Sequence, residues 1–371
     1  MRIVAARIHT IRLPLREPFI VAYARWDSMP SVLLELETES GMIGWGEAVP
    51  DEVVTGEHYR ATAEILRHVL VPAVLGRTAA DIDSAHGRMG ALIRGNAAAK
   101  AAVDIALHDV LGHAATLPLH SLLGGSPRQH LTYPRVISVG EPSVMAQSAE
   151  AAVADGYDQI KIKVGADDVR IDLDRIRAVC EAVGSRAEVR VDVNQHWKTP
   201  AIAVPAIRSL EGLALKWVEQ PVDLTDVRGL AHVRSATSVP VMADEAVHDM
   251  SSLLAVIEAG AADAVNIKLM KAGGIQPAVA MIAAAEAAGV QAQIGSMVES
   301  SVGSAAGYQV AAARGHVQST ELTGPLLFSH DVGDLAYQPP RVRLSDAPGL
   351  GVQVDREVVG QLSVADVVEL R

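Results

Sequence analysis

From Thr132 onward the sequence repeats one grammar, a short apolar strand, a turn and an amphipathic helix. Strand candidates fall at 134–138, 159–164, 188–193, 215–219, 239–243, 264–268, 290–294 and 319–322. The segments between them, such as 144–155, 169–183 and 275–288, carry apolar residues at helical spacing. Eight strands separated by seven crossovers specify a (β/α)-barrel of modified TIM type more readily than an open sheet.

The rest of the chain reads differently. Residues 1 to 50 alternate apolar and polar side chains in three short runs, at 2–4, 31–37 and 41–47, with the turn of a hairpin at 39–41. Residues 18–30, which hold Tyr23 and Trp26, read as a loop between the first two strands, either packed on the surface or closed over a ligand. From His58 to Leu123 the pattern is helical and alanine-rich, with its clearest helix over 97–111 and Gly112 following its end. Strands followed by helices predict an N-terminal α+β capping domain over 1–127, with the boundary near Ser126-Pro127 and the barrel over 128–330. The remainder, 331–371, is expected to leave the barrel and return to the capping domain through the strand-like run 352–355.

The 371 residues exceed one ordinary core, in keeping with two domains. A formal net charge of −12 argues against a phosphate-backbone partner, so no nucleic acid is expected. There is no apolar run of membrane-crossing length and no signal-peptide core, and a cytoplasmic protein without a membrane partner is expected. The single cysteine, Cys180, lies in a helical pattern and reads as a packed thiol rather than a metal ligand.

Active sites of such barrels are built at the C-terminal ends of the strands, and here nearly every strand ends in a charged residue. The second carries Lys161 and Lys163, the third Asp192 and Asn194, the fourth Glu219, the fifth Asp244 and Glu245, and the sixth Lys268. Glu299 follows the seventh strand, and the eighth carries Glu321. Asp192, Glu219 and Asp244 come from consecutive strands, so their carboxylates converge on one side of the mouth. Three hard oxygen ligands without His or Cys suit Mg²⁺ or Mn²⁺. The second and sixth strands face each other across the ring, which sets Lys163 and Lys268 on opposite flanks of whatever the cation holds. A lysine beside a dication and other ammonium groups has its pKa lowered and serves as a base near neutral pH. Lys161 supplies one such charge, and Glu245, beside Asp244, reads either as a partner of the ligands or as a surface residue.

Six motifs in order carry a resemblance: Lys-Ile-Lys-Val-Gly (161–165), Val-Asp-Val-Asn-Gln-His-Trp (191–197), Val-Glu-Gln-Pro (218–221), Met-Ala-Asp-Glu-Ala (242–246), Asn-Ile-Lys-Leu-Met-Lys-Ala-Gly-Gly (266–274) and Gly-Ser-Met-Val-Glu-Ser (295–300). Together they resemble the muconate lactonizing enzyme subgroup of the enolase superfamily, which also contains mandelate racemase-like and dipeptide epimerase branches. Enzymes of this superfamily pair a Lys or His base with one or two Mg²⁺ ions that stabilise an enediolate. The resemblance implies Mg²⁺ on Asp192, Glu219 and Asp244, with Lys163 and Lys268 as an acid/base pair acting on the proton α to a small-molecule carboxylate. It also implies a homo-oligomer.

The reaction that follows is set by the substrate. Reprotonation from the opposite lysine gives racemisation or epimerisation, loss of a β-leaving group gives dehydration, and ring closure or opening gives muconate-type cycloisomerisation. Val-Val-Thr-Gly-Glu (53–57) and Gly-Asn-Ala-Ala-Ala-Lys-Ala-Ala-Val-Asp (95–104) are similar to the dipeptide epimerases, which place two aspartates on the eighth strand for the substrate's ammonium group. Here those positions are Glu321 and Thr323, and the run 321–327 is similar to the muconate cycloisomerases. The expectation is therefore a racemase or epimerase of a dipeptide or N-modified amino acid, with cycloisomerisation as the alternative and dehydration of a hydroxy-amino acid third. The family's capping arrangement would bring Tyr23, Trp26, Thr55 and Glu57 to the substrate. A barrel that only binds would lack a base, and neither lysine is missing.

Overall fold

In the computed structural model, which describes residues 1–125 and 131–371, a parallel eight-stranded sheet curls around the site and an antiparallel sheet with helices caps it. The expected boundary at Ser126-Pro127 lies outside the described residues. The capping sheet contains β1 (Ile3–Ile20), β2 (Arg25–Thr38) and β3 (Ile43–Ala48). Its alternating apolar face packs on the helix Ala97–Ala115. That helix runs past Gly112 instead of ending before it. A Cβ on Gly112 would lie 2.4 Å from the Cα of Gly349, so the glycine admits the returning C-terminal segment rather than capping a helix.

Residues 18–30 do not form a loop. β1 continues to Ile20 and β2 begins at Arg25, with Phe19 opposite Trp26 and Ile20 opposite Arg25, so the segment is the far end of a long hairpin. Phe19 stacks on Trp26 at 6.3 Å between ring centroids, and Tyr23 meets Trp26 edge-on at 5.8 Å. Pro30 is tolerated because β3 pairs with β2 only from Val32 onward, leaving that edge without a ladder partner to satisfy.

After the two-residue β4 (Leu131–Thr132), the barrel strands are β5 (Arg135–Ile137), β6 (Gln159–Lys163), β7 (Glu188–Asp192), β8 (Leu215–Glu219), β9 (Val241–Ala243), β10 (Ala264–Ile267), β11 (Gln291–Ile294) and β12 (Val317–Thr320). They pair in sequence order and in parallel, so the expected barrel is borne out. Among the described residues no ladder joins β12 to β5; the seam is met instead by Thr320, whose hydroxyl donates to the Thr132 carbonyl at 2.9 Å. Register places the site. Lys163 pairs with Asp192, and Asp192 with Glu219, so three charged residues stand side by side at the mouth.

The chain then forms β13 (Ala336–Gln338) and β14 (Arg341–Arg343), and β14 pairs with β13 on one side and β4 on the other. The run 352–355 is not a strand: only Val354 forms an isolated bridge, with Gly333. The return is made farther on by β15 (Val368–Leu370), which adds to β1 through Ala6–Leu370 and Ile8–Val368 pairs. Among the described residues, no helix is long and apolar enough to cross a membrane. Cys180 is half-buried, and burial pushes its thiol up to about 11, far from a reactive thiolate.

Candidate active site

β6 is an inner strand, with Ile160 and Ile162 packed outward against the helices and Lys161 and Lys163 turned into the barrel. Lys161 is 1% exposed and is no snorkelling edge residue. Its Nζ lies 3.0 Å from Asp192 Oδ2, 2.7 Å from Glu219 Oε2 and 2.8 Å from Glu321 Oε2. Lys163 Nζ reaches Asp192 Oδ2 at 2.5 Å and Asn194 Oδ1 at 3.4 Å. Across the mouth, Lys268 Nζ donates to Asp244 Oδ2 at 2.7 Å.

Asp192, Glu219 and Asp244 are fully buried and can offer oxygens that all lie within 4.8 Å of one another. Three buried carboxylates this close repel each other unless cations lie between them. Glu219 Oε2 is a second sign of a missing partner: it sits near Lys161 but off the line a hydrogen bond needs, and accepts none. Its other oxygen accepts from Asn266 Nδ2 at 2.8 Å, which orients the group. Hard, buried, converging oxygens fit a divalent cation of the Mg²⁺ kind and none of the softer metals.

The electrostatics show what that charge has to balance. Burial pushes Asp192 up, but Lys161 and Lys163 outweigh it and hold its carboxyl at about 2. Burial also opposes ionisation of Asp244, and Lys268 and Lys271 overcome it, keeping that carboxyl well below the usual range. Glu219 is raised by burial and by the neighbouring charge of Asp192. Burial lowers Lys268, yet Asp244, Glu245 and Glu219 outweigh it, so its ammonium is held above the ordinary value; Lys161 is raised in the same way, chiefly by Asp192 and Glu219. A cation among the three carboxylates acts in the opposite direction on both lysines.

Glu245 is buried, not a surface residue, and accepts from Asn194 Nδ2 at 3.1 Å. Burial, with Asp244 and Asp192 nearby, pushes it up to about 7. Glu299 anchors the loop after β11: Met297 N donates to it at 2.9 Å and Ser296 Oγ at 2.5 Å. That loop forces Val298 to φ 68°, a strained value for a β-branched residue. Glu321 follows β12; its Oε2 accepts from Lys161 Nζ at 2.8 Å, and its Oε1 is buried without a hydrogen-bond partner. Thr323, also buried, opens the short helix Gly324–Leu327.

The hairpin closes over the mouth. One cavity, about 60 Å³, is bounded by Lys163 and Lys268 below, Tyr23, Trp26 and Phe19 above, and the 296–298 loop beside them. Asp51, which the sequence reading passed over, also faces this space. It is 8% exposed; Oδ1 accepts from Val53 N at 2.8 Å and Val54 N at 2.7 Å, and Oδ2 accepts from Tyr23 OH at 3.4 Å. Thr55 does not line the cavity; its hydroxyl donates to the Asp51 carbonyl at 2.9 Å and closes the turn. Glu57 lies away from it too, accepting from Ala98 N and Ala99 N at the start of the helix Ala97–Ala115. Lys271 and Gln220 were also passed over. Gln220 Oε1 accepts from Asp244 N at 3.0 Å and Ala246 N at 3.1 Å, fixing the backbone beside a candidate ligand.

Residues 3–124 match the family described as "Mandelate racemase / muconate lactonizing enzyme, N-terminal domain", and residues 144–358 match "Enolase C-terminal domain-like". The chain is 44% identical over 364 residues to the N-succinyl-L-Arg/Lys racemase of Bacillus cereus, covering 98% of each chain. A crystal structure of the N-succinyl Arg/Lys racemase from Bacillus cereus superposes with a TM-score of 0.98 at 43% identity and full coverage of both chains. The dipeptide epimerase of Enterococcus faecalis, complexed with Mg and the dipeptide L-Leu-L-Tyr, gives 0.91 at 35% identity, covering 95% of this chain and 99% of that one. Strand-end carboxylates, paired lysines and similarity along nearly the whole chain together make this protein a member of the muconate lactonizing enzyme subgroup of the enolase superfamily.

Proposed function

We propose that the protein is a Mg²⁺-dependent racemase of N-acylated amino acids, acting by 1,1-proton transfer between Lys163 and Lys268, with a basic side chain preferred on the substrate. The observation that carries this reading is the shared cavity: both lysines border it from below, and a buried carboxylate, Asp51, borders it from the capping domain.

Asp192, Glu219 and Asp244 would hold the cation, with Mn²⁺ as a substitute. Bound there, it would fix the substrate carboxylate and offset the negative charge that develops as the α-proton leaves. One lysine accepts the α-proton as the Cα–H bond breaks, and the opposite ammonium delivers a proton to the other face of that carbon. Asn194 and Asp192 aim Lys163 Nζ, and Asp244 aims Lys268 Nζ. The hairpin with Tyr23 and Trp26 keeps water from the carbanionic carbon.

Substrate class follows from two further groups. The dipeptide epimerases place two carboxylates on the eighth strand for the substrate's ammonium group, whereas this chain keeps only Glu321, whose Oε2 already accepts from Lys161, and has a threonine at 323. An N-acyl amide carries no such charge. A muconate has two carboxylates, and Asp51 at the cavity wall disfavours the second, which places cycloisomerisation behind racemisation. The Bacillus cereus relative's N-succinyl-Arg/Lys specificity agrees with a cationic side chain beside Asp51.

¹H NMR in D₂O with Mg²⁺ and N-succinyl-L-arginine tests this directly. The α-proton signal is expected to disappear while D-enantiomer accumulates, and the double variant Lys163→Ala/Lys268→Ala is expected to abolish exchange while still binding Mn²⁺. Silence with N-succinyl amino acids and turnover of a muconate would replace racemisation with cycloisomerisation.

A further inference from the structure

The hairpin that covers the cavity rests on the loops after β5 and β6. Ile20 N donates to Ser138 Oγ at 3.4 Å, and Val139 N donates to the Ile20 carbonyl at 3.3 Å. At the tip, Ala22 lies so close to Gly165 that a Cβ on the glycine would stand 2.4 Å from the Ala22 Cβ. His196, from the loop after β7, backs the same glycine, its Cβ 3.4 Å from that position. One pair of side chains ties these three loops together. Asp172 is fully buried in the helix Val169–Val183; its Oδ1 accepts from Gly165 N at 3.0 Å, and its Oδ2 accepts from Ala166 N and Trp197 Nε1, each at 3.0 Å. Arg175, one turn further along, donates through Nη1 to Asp172 Oδ1 at 2.9 Å and through Nε to the Gly140 carbonyl at 2.8 Å.

A carboxylate in the first turn of a helix ordinarily serves that helix's own N–H groups. Here Asp168 takes that part, accepting from Arg170 N at 3.0 Å, and Asp172 is turned outward to the loops instead. Its buried oxygens satisfy two loop N–H groups that no strand partner reaches. We propose that Asp172 and Arg175 are positioning residues that build the seat of the hairpin. They hold Gly140, Gly165, Ala166 and Trp197 in one arrangement, and with them the surface on which Ile20 and Ala22 land. While the seat is fixed, Tyr23 and Trp26 stay over the cavity. When it loosens, the hairpin opens more often, and apparent substrate affinity falls with the closed fraction. Lys163 is held independently, because it lies within β6 and pairs with Asp192 before the loop begins. The effect on KM rests on the racemase reading proposed above; the seat itself does not.

Amide hydrogen exchange of the free protein, read by mass spectrometry over residues 19–26, follows the hairpin with no substrate present. Arg175→Met keeps the aliphatic stem and removes both donors. It is expected to speed exchange over 19–26 by about tenfold or more, while β7 and β8 stay within about threefold of wild type. With N-succinyl-L-arginine, KM is expected to rise about fivefold or more and kcat to stay within about twofold. Arg175→Lys, which can reach only one of the two acceptors, is expected to fall between wild type and Arg175→Met on both readouts. Trp197→Phe removes a single donor to Asp172 and carries the test if Arg175→Met does not fold, with the same pattern at smaller amplitude. Unchanged exchange over 19–26, a rise shared by the barrel strands, or a fall in kcat with KM unmoved would each overturn the inference. If the wild-type protein leaves N-succinyl-L-arginine untouched, the racemase reading falls, and exchange over 19–26 still decides the seat. Wild-type turnover with unaltered exchange in Arg175→Met would remove the seat and leave the racemase reading standing.

Discussion

Asp51→Asn separates substrate selection from chemistry with little disturbance to the fold. The two oxygens of Asp51 have different tasks: Oδ1 accepts from Val53 N and Val54 N and builds the turn, and Oδ2 lies toward Tyr23 at the cavity. An asparagine keeps the first acceptor and loses the charge, so the loop should hold its shape. What disappears is a charge-assisted hydrogen bond to a cationic substrate, worth about 1.5 to 3 kcal/mol. At about 1.4 kcal/mol per tenfold, that is a loss of about 10- to 150-fold in kcat/KM for N-succinyl-L-arginine. The loss should fall on KM, because the contact is remote from the breaking Cα–H bond and is equal in ground and transition states. N-succinyl-L-norleucine, of similar reach but uncharged, should be unaffected or improved. Racemisation followed by polarimetry for both substrates decides the matter. An equal loss for the two compounds would refute the assignment of Asp51 to side-chain recognition.

Three more perturbations probe other parts of the design. Gly165→Ala puts a Cβ 2.4 Å from the Cβ of Ala22 at a φ of 147°, so it should push the hairpin tip off the barrel, raise KM several-fold and spare kcat; an unchanged KM would show that the tip is not part of the closed site. Lys161→Met leaves its three carboxylate partners without their shared ammonium and should cost about 3 to 5 kcal/mol in urea denaturation with a chelator present, of which Mg²⁺ at a hundred times its Kd returns about 2.7 kcal/mol. Asp104→Asn should flatten the pH dependence of stability. Burial opposes the Asp104 charge, but His108 and His86 outweigh it and hold the carboxyl low, so its contribution is complete above the ordinary 3.8 and is lost as pH falls toward the depressed value. Burial likewise opposes charge on His108, but Asp104 raises it above 6.5, so that contribution is complete below 6.5 and is lost as pH rises through the raised value. Urea denaturation across pH 2 to 9 should therefore lose both slopes in the variant; persistence of the alkaline slope would reassign it to another group.

Much of the site was legible because barrel strands bring their ends together, so one charged residue per strand predicts convergence without any contact being known. That logic reached Asp192, Glu219, Asp244 and the lysines, but it could not reach Asp51, which the capping domain delivers from a turn with no periodic signal of its own. Lys271 did leave a signal, a second lysine within the apolar run from Asn266 to Ala272, and its meaning depended on the carbonyl of Asp244 from another strand. The hairpin was misread for a local reason. Pro18 and Pro30 look like breakers, and the cross-strand pairing of Phe19 with Trp26 that overrides them is invisible until the register is known. Likewise the tail's strand-like run at 352–355 ends in Asp355, which caps the helix Arg356–Leu362, and the strand that does return lies in the last residues.

The way the capping domain is held bears on how the proposed selecting surface and the proposed proton-transfer site come from separate parts of the chain. Two fully buried carboxylates of the cap meet the starts of two barrel helices. Asp104 accepts from Ile275 N, 2.5 Å away, at the head of the helix Ile275–Ala287. Glu47 accepts from Ser300 N and Gly303 N at 3.0 and 2.8 Å at the head of the helix Ser301–Ala313. Helix N-termini carry unpaired N–H groups and positive potential, so each carboxylate satisfies donors that would otherwise be orphaned. The two helices are also those that follow the Lys268 segment and the 296–298 loop of the cavity wall. The cap is therefore anchored directly behind Lys268 and the 296–298 loop, while Asp51, Tyr23 and Trp26 project from other segments of the same domain. On the proposed reading, changes in those projecting residues alter which side chain is accepted without moving Lys268, whereas loss of either anchoring carboxylate moves Asp51 and Lys268 together.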